Sequence, residues 1–153
     1  MKIAVIEDRI ADVRRNYSML VRSRHDVSVF YLPPNTFVDV GSLLEEAFSL
    51  EIDNLVSYGF RRDKITFPIL SRENPYYRFD REKLRSDRFN IFFIDGLDGE
   101  CFNIIRDYGL PKDKICIASD YSAIVDHARE LGYSTVEKQN ADIHELVDRL
   151  KAA

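Results

Sequence analysis

Four apolar runs each end in a side chain able to do chemistry: IAVIED in Glu7 and Asp8, NIFFID in Asp95, KICIAS in Ser119, and STVEK in Lys138. The three carboxylates are hard oxygen donors of the kind that hold a divalent cation such as magnesium (Mg2+). A carboxylate such as Asp95 can attack phosphorus to form an acyl phosphate, provided that metal and cation absorb the spreading negative charge. A hydroxyl at Ser119 can donate to a phosphoryl oxygen, and an ammonium at Lys138 can neutralise one as a point charge. A divalent metal and a phosphoryl group meeting at one place is the chemistry these residue types suggest.

Each residue has an ordinary competing use. Asp8 can cap the helix that follows it, as can Ser119 or Asp120 before the DYSAIV segment. Asp95 can open a turn before Gly96, Asp98 reads as a turn or helix-entry residue, and Lys138 can be a solvated strand end. What sets the group apart is position. The residues stand at the corresponding ends of successive apolar runs, in order.

Those ends meet only if the runs are parallel strands. Residues 2–6 form an almost wholly apolar run, suited to a strand buried on both faces. Ile10, Val13, Tyr17, Leu20 and Val21 then recur at helical spacing. Residues 27–32 read as a second strand, stopped by Pro33 and Pro34. Ser42 and Glu45 have capping-box spacing before a stripe of Leu43, Leu44, Ala47, Phe48, Ile52, Leu55 and Val56, with Gly59 placed to end that helix. After residue 90 the alternation is regular. Strands at 91–94, 114–118 and 134–137 are followed by helices marked by Phe102, Ile105 and Tyr108, by Ile124, Val125, Ala128 and Leu131, and by Ile143, Leu146, Val147 and Leu150. Five strands alternating with five helices imply a doubly wound α/β fold, a five-stranded parallel sheet with helices on both faces. In such folds ligands bind at the carboxyl ends of the strands.

The region 60–89 breaks the pattern. Residues 64–70 suit a short edge strand, because Pro68 bars a central place. The run SRENPYYRFDREKLRSDR is aromatic and charge-dense without a clean period, and reads as an ordered insertion or arm on the surface, used for protein contact and outside the core. The expected organisation is one domain over residues 1–153 with an insertion at about 60–89.

Hydrophobic content of 45% and charged content of 31% belong to an ordinary globular chain and argue against disorder. A net charge of -4 gives no support for nucleic acid or a membrane surface as partner. There is neither a run of transmembrane length nor a signal-peptide pattern, so the cytoplasm is the expected location. Cys101 and Cys116 make no disulfide framework and no zinc spacing, and read as small core residues. His25, His127 and His144 are scattered in polar contexts and read as surface residues.

The order of these motifs resembles the receiver domain of two-component response regulators. VIED is similar to the acidic pair after the receiver's first strand, FFID to its phospho-acceptor strand, CIAS to its Thr/Ser position and TVEK to its lysine strand. GLDGECFNIIRDYG resembles the loop and helix after the acceptor, and the likeness covers about residues 1–32 and 89–151. The resemblance implies a flavodoxin-like strand order 2-1-3-4-5. It implies magnesium on Glu7, Asp8 and Asp95, phosphoryl transfer to Asp95, and contacts from Ser119 and Lys138 to the phosphoryl group. The donor would be a histidine kinase, a phosphotransfer protein or a small phosphoryl donor. Output would run through a downstream protein partner, with a homodimer among the expected assemblies. The chain departs from the receiver pattern in the long gap between Asp8 and Asp95 and in a short loop after Asp95 without Met-Pro. Thr135 stands where receivers carry the switch aromatic, with Tyr133 two positions earlier, and Gln139 stands where they carry proline.

Three functions compete. The first is a stand-alone receiver-like signalling domain, a self-phosphorylating acceptor rather than a turnover enzyme. The second is a non-phosphorylated pseudo-receiver acting as a protein-binding module. The third is a metal-dependent phosphatase of the haloacid-dehalogenase kind or a Toprim-like nuclease. Both want Asp-x-Asp, whereas Asp95 and Asp98 have two residues between them.

Overall fold

Short runs of branched and aromatic residues with no polar face, such as IAVI and IFFI, suit strands covered on both sides. A computed structural model describes residues 1–32, 46, 48–71, 74–138 and 142–152, and places these runs at the centre of a parallel sheet. The elements are β1 (Lys2–Glu7), α1 (Ile10–Arg22), β2 (Asp26–Tyr31), α2 (Ser49–Ser57), β3 (Ile65–Thr66), β4 (Ile69–Ser71) and β5 (Asn74–Arg78). They continue with β6 (Ile91–Asp95), α3 (Glu100–Tyr108), β7 (Ile115–Ser119), α4 (Ser122–Glu130), β8 (Ser134–Glu137) and α5 (Ile143–Ala152).

The main sheet runs β3-β2-β1-β6-β7-β8, with every pairing parallel. Counting only its own strands in chain order, the arrangement is 3-2-1-4-5-6. The expected five-stranded sheet of order 2-1-3-4-5 is therefore corrected to six strands. The addition is β3, which registers Ile65 with Val29 and Thr66 with Phe30 outside β2. It stops after two residues; Pro68, with no N–H to donate, follows close behind. Ile69–Ser71, the rest of the expected edge strand, pairs instead with Asn74–Arg78 in a separate antiparallel hairpin.

Strand alternation sorts the core into two layers. On one face Ile3, Val5 and Phe93 pack with Val13, Tyr17 and Leu20 of α1, Ile52 and Leu55 of α2, and Ile143 and Val147 of α5. On the other, Ala4, Ile6, Phe92 and Ile94 pack with Cys101 and Ile105 of α3 and Ala128 of α4. Burying these side chains is the main favourable term in folding, about 1.5–3 kcal/mol for each large one.

The second half of the charge-dense insertion belongs to this second layer, which corrects its expected place outside the core. Phe79, Leu84 and Phe89 are buried, and the rings of Phe79 and Phe89 meet Phe30 edge-on at 5.4 and 5.9 Å. The Tyr108 hydroxyl accepts the Phe79 N–H at 2.6 Å and donates to its carbonyl at 3.0 Å. Isolated apolar anchors on irregular backbone leave no period in the sequence. Pro33, Pro34, the capping-box pair Ser42 and Glu45, Leu43, Leu44, Ala47 and Gln139 lie outside the described residues. Among the described residues no helix is long and apolar enough to cross a membrane.

Candidate functional site

The chain leaves β1 for β2 in one direction and passes from β6 to β7 and β8 in the other, so its order reverses between β1 and β6. At such a switch point the loops part and open a crevice at the strands' carboxyl ends. Glu7 and Asp95 are the last residues of the two strands that flank it, each one step beyond the registered pair Ile6 and Ile94. Glu7 follows Val5, Asp95 follows Phe93 and Lys138 follows Val136, so all three lie on the α1 side of the sheet.

Lys138 is the hub. Its Nζ donates to Glu7 Oε2 at 2.5 Å, to Asp12 Oδ2 at 3.2 Å and to Asp95 Oδ1. Its side chain is only 2% exposed, against 1% for Glu7, 8% for Asp12 and 15% for Asp95. A solvated strand end is thus excluded for Lys138. The other Glu7 oxygen accepts the N–H groups of Asp8 and Arg9 at 3.0 and 3.3 Å, fixing the turn between β1 and α1. Asp8 is not spent as a cap, since Arg9 holds the N-cap position of α1 with no side-chain hydrogen bond closing the turn.

Asp12 was not singled out by the sequence, where an acid in the first turn of a helix is an expected complement to the helix dipole. Here it is buried, pairs with Lys138 and is held from outside by Arg15 at 2.9 Å. Three carboxylates therefore share one buried ammonium. Burial, and then the charge of Asp95, push the Glu7 carboxyl up to about 9 in spite of Lys138. Burial also raises Asp95, with Lys138 and the Leu97 N–H working against it. Burial pulls Lys138 downward, but the charge of Glu7 and the hydrogen bonds to Asp95 and Glu7 overcome it, so Lys138 stays an ammonium. Without a further cation, the surplus negative charge is met by a proton on Glu7.

A divalent cation would meet it differently. One oxygen each from Glu7, Asp8 and Asp95 lie within 4.8 Å of one another. An all-carboxylate set of that span fits a hard cation. Glu7 and Asp95 both already accept from Lys138 and from backbone N–H groups; Asp8 and Asp95 are half-buried where Glu7 is fully buried, and so form the more open side of the set.

The loop after Asp95 is tight. Gly96 is followed by Leu97 and Asp98 in the left-handed region, at φ 49° and 53°, and the turn brings the Leu97 N–H back to Asp95 Oδ2 at 2.9 Å. Asp98 points to solvent as a turn residue. Gly96 is required by packing: a Cβ there would sit 2.9 Å from both Ser119 Oγ and Ile124 Cδ1. Ser119 thus lies against the Asp95 loop. Its hydroxyl accepts the Tyr121 N–H at 3.1 Å, and its strand parity, after Ile115 and Ile117, places it on the α3 side. It is beside the acidic group and outside its hydrogen-bonded network.

The remaining residues of interest sit elsewhere. Thr135 Oγ1 accepts from Arg129 Nε at 2.9 Å, and the Tyr133 ring lies under the Lys112 ammonium at 5.0 Å. His25 is buried, with Nδ1 3.2 Å from the terminal amine of Met1, which corrects the expectation of a surface residue. His127 is exposed beside Phe102, and His144 meets the Ser23 hydroxyl at 2.7 Å. Cys101 and Cys116 are free, buried thiols pushed up to about 12 by burial. Comparison of the chain with family models, with curated proteins and with solved structures finds no match.

Proposed function

We propose that this chain is an atypical receiver-like signalling domain that accepts a phosphoryl group on Asp95. The observation that carries the reading is the ion pairing of Lys138 to Asp95 and Glu7, beside a set of carboxylates fit for a divalent cation. Asp95 is the most exposed of the three acids that Lys138 touches, and so the one an incoming phosphorus can reach. An Asp95 oxygen would attack phosphorus, forming an acyl phosphate. The donor's P–N or P–O bond would break, and its leaving group would keep the electron pair. Lys138 would hold a phosphoryl oxygen once Asp95 is phosphorylated. The Ser119 hydroxyl accepts from Tyr121 and keeps its own proton to donate. Magnesium, held by Asp8 and Asp95 with Glu7 behind them, would supply positive charge against the phosphoryl oxygens. A histidine kinase or phosphotransfer protein would be the donor, and a protein partner would read the change.

A second reading, a pseudo-receiver that binds a protein without phosphorylation, draws on two observations. Asp12 adds a buried acid to the lysine's partners, and Ser119 stands outside that network. Beryllofluoride, which mimics an acyl phosphate, separates the two. With magnesium present, the first reading expects amide shifts at residues 95–97, 119 and 138 in NMR spectra. An unchanged spectrum favours the second.

A further inference from the structure

The opposite, amino-terminal edge of the sheet carries a feature that the phosphoryl chemistry does not use. A recess of about 340 Å³ lies between β2, β3 and the end of the insertion, lined by Lys2, Lys64, Lys83 and Arg88 with Asp26 and Asp63. Its volume falls within the range of small-molecule sites. Lys64 is offset by Asp26 at 3.7 Å, and Asp63 is taken by Arg61 at 2.8 Å. Lys2, Lys83 and Arg88 are exposed and have no ion pair among the described residues. Three uncompensated cations therefore face one recess in a chain whose net charge is -4.

The floor gives an independent indication. Ser28 and Thr66 line the recess, are only 8% and 9% exposed, and have no side-chain hydrogen-bond partner among the described residues. Register explains their placement: Thr66 pairs with Phe30, and Ser28 precedes Phe30 by two, so all three share a face. Neither hydroxyl is a buried unsatisfied atom, so both open onto the recess and are available to donate to an acceptor bound there. Phe30 and Phe89 supply the apolar wall. A second recess of about 460 Å³ shares Lys2, Asp26, Arg88 and Phe89 with the first and extends it to Arg24 and Lys114.

We propose that this recess binds a small phosphorylated compound with at least two negative charges. Its phosphate oxygens would accept from Ser28, Thr66, Lys83 and Arg88, with Lys2 at the rim. Such a compound matches the charge surplus, the unpaired hydroxyls and the volume together. The site lies roughly 15–20 Å from the acidic cluster, the length of β1, and is built by the insertion that interrupts the receiver-like pattern. It stands apart from the phosphoryl reading and survives its failure.

The test is titration of the intact chain with pyrophosphate and with ATP, by calorimetry and NMR, at low salt and without magnesium so that the acidic cluster cannot recruit the ligand. Saturable binding is expected, weaker at high salt, with shifts centred on residues 28, 66, 83 and 88. Lys83→Glu with Arg88→Glu should weaken it about tenfold or more, as loss of two charge-assisted hydrogen bonds requires. The milder Lys83→Gln with Arg88→Gln gives the same reading should the reversal perturb folding. Absence of binding overturns the proposal. So do shifts centred on residues 7, 8 and 95, affinity unchanged by both variants, or binding of an RNA oligomer without binding of pyrophosphate or ATP.

Discussion

Replacing Lys138 with methionine keeps the unbranched chain out to the ε position and removes the ammonium beyond it, leaving Glu7, Asp12 and Asp95 without the charge they share. Because the Lys138 side chain is 2% exposed, water cannot take its place. Removing one partner of a buried ion pair costs about 3–5 kcal/mol, a large share of the roughly 5–15 kcal/mol that holds a domain folded. The loss depends on pH with a definite sign. Without Lys138 the Glu7 and Asp95 carboxyls, already raised by burial, sit further above their unfolded values, so the folded state carries more protons than the unfolded one. Its stability then falls as pH rises, by about 1.4 kcal/mol per unit for each such proton. The penalty should be larger at pH 8 than at pH 5, where a proton on Glu7 relieves part of the unpaired charge. Urea unfolding of both proteins at the two pH values measures it. Millimolar magnesium should recover part of the loss at pH 8, since another cation then occupies the same field. A penalty below about 1 kcal/mol and independent of pH would refute the idea of a buried charge network.

Three further outcomes follow from the same geometry. Burial and the charge of Asp95 push the Glu7 carboxyl up to about 9, so metal binding should release up to one proton. Apparent magnesium affinity should therefore rise with pH up to about 9, and calorimetry in buffers of different ionisation enthalpy counts the proton. Gly96→Ala should cost about 1–3 kcal/mol by overpacking, since its Cβ would press on Ser119 and Ile124; thermal unfolding reads the loss. Leu84→Ala, in the insertion, should cost about 2–5 kcal/mol because Leu84 is 1% exposed; a change within 0.5 kcal/mol would return the segment to the surface.

The parallel sheet was legible because IAVI, IFFI and ICIA are short, apolar and rich in branched or aromatic residues, as strands buried on both faces are, and the chemistry-bearing residue follows each run directly. The meeting of Glu7, Asp8 and Asp95 follows from that topology, and one oxygen from each lies within 4.8 Å of the others. Burial was harder to read. Nothing in the sequence singles out Asp12, and Lys138 has a solvated strand end as a competing reading, because nothing local shows that a lysine after β8 will reach the first turn of α1. His25 is buried by its contact with the chain's own amino terminus, a long-range fact no window of residues contains. The insertion misled for a related reason: Phe79, Leu84 and Phe89 pack one at a time around Phe30, so their spacing fits neither helix nor strand. A two-residue strand such as β3 is fixed by its partner, β2, and by little of its own.

The central claim concerns Asp95 as acceptor, and intact mass spectrometry tests it most directly. The chain is incubated with acetyl phosphate, with and without magnesium, alongside Asp95→Asn. The account predicts a single phosphoryl adduct on the wild type only when magnesium is present, and none on the variant, whose amide can neither attack phosphorus nor carry the charge. An adduct that persists in Asp95→Asn, or a wild type that gains none, would contradict it.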